Sequence, residues 1–129
     1  MSDRSLAALP AIALALVLAA VTACVPGVEL PSDCGASAVQ RAATLADDQL
    51  NPSSIDVCRG QQVTLDLTAT QGGELHLHGY DEEVPEQEVT AGETVHLVFS
   101  AVHSGQFPIE MHSANGDEVE VGILTVHEP

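Results

Sequence analysis

The chain has 129 residues, room for one small domain and a targeting segment but not for a multi-domain enzyme. Its 19 Asp and Glu face three Arg and no Lys, a formal net charge of -16, so no cationic surface is left to neutralise phosphates and nucleic-acid binding is excluded. With two Phe, one Tyr and no Trp, a core must come from Val, Leu, Ile and Ala, and neither sugars nor bases find a stacking platform.

After Met1-Ser2-Asp3-Arg4, an apolar run from Leu6 to Ala23, broken by Pro10 and Thr22, ends in small residues. This is the layout of a secretory signal peptide over residues 1–23. The run is also about the length of a membrane span, so an uncleaved anchor is one alternative and ordinary secretion the other. Val21-Thr22-Ala23-Cys24 resembles the lipobox of bacterial lipoproteins. The resemblance implies acylation of Cys24 and a mature chain from Cys24 to Pro129, held in the cell envelope on the extracytoplasmic side of a bacterial membrane. Two or three acyl chains, at about 0.8 kcal/mol per buried methylene, anchor far more firmly than one myristoyl chain.

With Cys24 acylated, Cys34 and Cys58 remain as one pair for a disulfide in an oxidising compartment, with two thiols serving a soft metal as the rival. Residues 24–54 read as a tether and a short helix. Val25 to Asp33 carries Pro26, Gly27 and Pro31 without hydrophobic periodicity. Over Ala36 to Leu50, Val39, Ala43, Ala46 and Leu50 share one helical face, and Asn51-Pro52 stops the predicted helix.

Residues 55–129 change to short alternating runs punctuated by Gly, Asn and Pro, which predicts an all-β Greek-key sandwich of about seven strands. Ile55 to Cys58 leads into a turn at Arg59-Gly60, and Val63, Leu65 and Leu67 alternate with polar residues. Gly72-Gly73 opens Glu74 to His78, and a strand is expected near Glu88-Val89. Val95, Leu97 and Phe99 share a face, as do Phe107, Ile109 and Met111; Asn115-Gly116 is a tight-turn dipeptide before Val119 to Val126.

The Ala91-Gly92-Glu93 turn before Val95 to Phe99, the run Gly105 to His112 and the final Gly122 to Val126 together resemble a cupredoxin-like domain over roughly Ile55 to His127. His76-Leu77-His78-Gly79-Tyr80-Asp81 is similar to a bacterial cupredoxin-like subfamily in which this string is followed by Gly-x-Phe-x-x-Glu-x-His. A blue-copper site needs a thiolate, two imidazoles and a weak axial Met, and the resemblance implies a thiolate just ahead of the second His. This chain has no Cys after Cys58, so a blue electron carrier is not expected.

A set of nitrogen and oxygen ligands remains. Strand parity aims His76 and His78 one way and gives Glu110 and His112 a common face, with Met111 turned to the core. If the two strands meet at one end of the sandwich, as the resemblance implies, three imidazoles and one carboxylate form a site suited to copper or zinc, with the affinity order favouring copper. The competing reading makes these histidines polar residues on a solvated strand face of a metal-free envelope module that contacts another protein. His96 reads as a solvated strand position, His103 as a loop residue and His127 as a tail residue, and the run Asp81 to Glu88, which lacks the ligand spacing and Gly of a calcium loop, reads as a solvated loop. No catalytic residue is expected, because Ser100, Ser104 and Ser113 near His103 and His112 do not make a nucleophile elbow.

Overall fold

The computed structural model describes residues 27–129; the expected signal peptide and Cys24 lie outside the described residues. Among the described residues nine strands run in chain order as β1 (Ala38–Ala46), β2 (Gln49–Asn51), β3 (Ser54–Cys58), β4 (Gln62–Ala69), β5 (Gly73–Leu77), β6 (Gln87–Val89), β7 (Thr94–Ser100), β8 (Gly105–His112) and β9 (Glu118–His127). One sheet has the order β2-β1-β4-β7 and the other β3-β9-β8-β5-β6. The inward residues of both, among them Leu45, Leu65, Leu67, Leu75, Leu77, Ile109 and Leu124, meet in a single core. From Ile55 onward the strands follow the expected alternation, because each apolar residue at period two has a partner sheet to pack against.

The helix expected over Ala36 to Leu50 is instead β1 and most of β2, which raises the strand number from about seven to nine. The sandwich therefore begins well before residue 55, where the tether and helix were expected to end. The physical reason is tertiary pairing. β1 lies parallel to β4 from Ala38 opposite Gln62 to Leu45 opposite Ala69, and its buried positions, Val39, Ala43 and Leu45, fit period two once Arg41 is counted as inward. Arg41 tolerates that place because its guanidinium donates to both carboxylate oxygens of Asp33 and to the carbonyl of Asp56, each at 2.9 Å. Asp47 and Asp48 both take positive φ, 51° and 57°, making the two-residue turn that folds β2 back onto β1.

The expected Cys34–Cys58 disulfide is present, with Cα atoms 5.3 Å apart. It staples the segment before β1 to the end of β3. Beside it, the buried Gln61 accepts from the Cys58 amide at 2.8 Å and donates to the carbonyls of Asp33 and Ala36. For a loop of 24 residues the chain-entropy account gives about 3.5 kcal/mol of stabilisation. Thiol labelling of the native, non-reduced protein followed by peptide mapping is expected to find neither Cys34 nor Cys58 free; modification of both would remove the bridge.

Candidate metal centre

β5 and β8 are antiparallel neighbours in a register that sets His76 opposite Glu110 and Glu74 opposite His112. Leu75, Leu77, Ile109 and Met111 fill the core, so parity sends His76, Glu110 and His112 to the outer face of the five-stranded sheet. A bulge shifts the β8–β9 register between Ile109 and Glu110, yet Met111 stays buried. The cluster therefore stands on a sheet face under a loop. The site expected at one end of the sandwich thus lies on the outer face of the five-stranded sheet.

That loop is built by the string that follows β5. The His78 amide continues the ladder by donating to the carbonyl of Pro108 at 3.0 Å, and Gly79 turns the chain at φ 77°. Tyr80 drops into the core, where its hydroxyl donates to the carbonyl of His103 and its ring packs on Phe99 and Phe107. Amides of Glu83 and Val84 donate back to the Tyr80 carbonyl. The resulting reversal brings Asp81 onto His76 Nε2 and Glu86 to 3.9 Å from His76 Nδ1 and 3.8 Å from His112 Nδ1.

His76, Glu110 and His112 each offer a ligand atom, all within 4.8 Å of one another, and all three are half-buried. Ligands about 2.1 Å from one tetrahedral ion stand about 3.4 Å apart, so small side-chain adjustments close this set on a metal. Among the described residues, His112 Nε2 is a buried atom with no hydrogen-bond partner; it stands 3.6 Å from Glu110 and 3.9 Å from Glu118, too long for hydrogen bonds. Such an atom costs about 1–3 kcal/mol unless something fills its lone pair or takes its proton. The residues present thus fit a metal ion.

His78 lies outside this trio and stands 2.7 Å from the other side of the Glu110 carboxylate. Glu110 raises the His78 pKa above its ordinary value and is itself lowered by that bond, while His76 lowers Asp81 in the same way. In the metal-free chain the His78–Glu110 pair stabilises the fold above the ordinary Glu range and stops doing so as pH rises through the raised His78 value. His96 pairs with Asp66 on the other sheet, His127 pairs with Asp56, and His103 is exposed. Sequence reasoning missed Glu74, Asp81, Glu86 and Glu118. Asp81 carries a sequence signal as the last residue of the string His76 to Asp81; Glu86 carries none beyond its charge.

No family model and no curated protein matches the chain. Among solved structures, the metal-binding domain of the Cu(I)-exporting P-type ATPase CopA of Streptococcus pneumoniae D39, solved with Cu(I), is similar at a TM-score of 0.54 and 13% identity over 72% of this chain and 89% of that one. Reduced auracyanin from Roseiflexus castenholzii is similar at 0.51 and 16% identity, over 68% and 96%. The fold is cupredoxin-like. The blue copper oxidase of Nitrosomonas europaea also matches, at a TM-score of 0.52 and 16% identity, but there this chain spans 39% of a larger enzyme. Identities this low establish the cupredoxin-like architecture and leave the chemistry to the residues of this chain.

Proposed function

We propose that the protein is a lipid-anchored, extracytoplasmic cupredoxin-like domain that binds or carries copper, or a related divalent metal such as zinc, through a non-blue His/Glu set. His76, Glu110 and His112 would hold the ion, and His78 would orient the Glu110 carboxylate. A bound ion would supply Lewis acidity or one-electron capacity. This chain's residues contribute neutral imidazoles, a carboxylate already ionised, and a half-buried position for them. The observation that carries the reading is the buried, unpartnered Nε2 of His112 facing Glu110. The two cysteines among the described residues are joined to each other, so copper here would lack the intense colour of a thiolate complex. The Cu(I) of the similar CopA metal-binding domain and the copper named for the Nitrosomonas europaea oxidase support the choice of metal.

The test is copper titration of the purified chain. One tight equivalent is expected, weakening as pH falls through the imidazole range near about 6.5 because protons compete for the same nitrogens. A cation cloud around the acidic face would instead vanish with added salt. Weak, salt-sensitive binding with no pH step would favour a metal-free protein-contact module, for which the carboxylate partners already on His76 and His78 speak. The anchoring is tested separately. Cys24→Ala is expected to release the protein from the membrane, and an unmodified Cys24 in the membrane-bound parent would refute it.

A further inference from the structure

His112 presents both ring nitrogens to acidic groups. Its Nε2 faces Glu110, and its Nδ1 lies 3.8 Å from Glu86. Glu74, Glu86 and His112 form a second group whose ligand atoms all lie within 4.8 Å of one another. Glu74 reaches it from the position directly across the ladder from His112. A groove of about 670 Å³ lined by Glu74, Glu88 and His112 leads to this group, whose two carboxylates are exposed, whereas the His76, Glu110 and His112 group is half-buried.

We propose that His112 serves two cation positions: an inner one with His76 and Glu110, and an outer one with Glu74 and Glu86 that opens on the groove. The inference rests on the metal-binding reading above and extends it. The inner set is richer in nitrogen and suits Cu(II) or Zn(II); the outer set, two carboxylates and one imidazole, suits Zn(II) and harder divalent ions. An ion arriving along the acidic groove meets the outer carboxylates first and reaches the inner position across one ring. Filling both positions at once requires the ring to give its remaining N–H proton to solvent and sets two dications on either side of it. The second ion must therefore bind more weakly than the first.

The experiment is calorimetric titration of the full chain with Zn(II) alone at 0.15 M salt. The parent is expected to take two equivalents, the second at least about tenfold weaker. Glu74→Gln, which removes a ligand of the outer position only, should abolish the second step and leave the first within about threefold, and the double variant E74Q/E86Q should likewise lack the second step. A parent that takes one equivalent only, or a second equivalent that survives E74Q/E86Q, overturns the two-position inference and spares the inner site. Absence of any equivalent overturns the metal-binding reading itself. With Cu(II) in place of Zn(II), magnetic coupling that broadens the resonance at the second equivalent, lost in E74Q/E86Q, is the matching spectroscopic result.

Discussion

Replacing His112 by alanine is expected to weaken copper binding by at least about a hundredfold while leaving the metal-free protein as stable as the parent, or more so. The two halves of this result come from one atom. Nε2 of His112 makes no hydrogen bond among the described residues, so its removal takes away a proposed ligand without breaking a hydrogen bond and lifts the cost of an unpaired buried polar group, which offsets the lost edge-on packing against His76. A histidine conserving structure alone would behave in the opposite way, costing stability and leaving affinity intact. Glu110 keeps its bond to His78 in the variant, so the sheet face stays ordered. His78→Ala should weaken binding by about tenfold through loss of that orienting bond, the size of effect expected for a group that acts on a ligand rather than as one. His96→Ala, on the opposite sheet and paired with Asp66, should leave copper affinity unchanged. Thermal melts of the metal-free proteins and chelator competition for copper measure both halves. An H112A protein that binds copper like its parent removes the proposed site.

Alternation made most of this fold legible in the chain. Val63, Leu65 and Leu67, or Phe107, Ile109 and Met111, could serve only as one face of a half-buried strand, and the same parity put His76, Glu110 and His112 on the other face. β1 escaped because its inward row is interrupted by Arg41, whose charge is satisfied by Asp33, a residue outside the strand, and because alanine spacing over Ala36 to Leu50 fits a helical period as well. Only pairing with β4 decides between them, and pairing is not written locally. The same limit applies to the site. Adjacency of β5 and β8 brings Glu110 opposite His76, and that neighbour relation came from resemblance rather than from periodicity. Asp81 and Glu86 read as solvated loop residues because nothing in their own spacing shows that Tyr80 is drawn into the core and folds the loop back over the histidines.

Gly79→Ala is expected to destabilise the protein by about 2–5 kcal/mol, the sum of left-handed backbone strain and overpacking. At φ 77°, Gly79 holds a conformation that costs an L side chain about 1–2 kcal/mol. A Cβ there would also stand 2.6 Å and 2.9 Å from two ring carbons of Phe107. Phe107 has little room to retreat, because Tyr80 meets it edge-on at 5.0 Å between centroids and is itself fully buried against Phe99. These are the Tyr and both Phe of the chain, gathered beneath one turn, so a shift of any ring disturbs the others. Gly92→Ala separates the two causes. Gly92 has a similar φ of 83° but open space where its Cβ would go, so it should show the backbone strain alone, about 1–2 kcal/mol. At about 4–8 °C per kcal/mol for a domain of this size, the melting temperatures of G79A and G92A should differ by several degrees or more. Displacing the turn also moves Asp81 away from His76, so G79A should weaken copper binding where G92A does not. If the two variants melt together, the Phe107 ring yields to the methyl group, and the reason for glycine between His78 and Tyr80 reduces to its φ.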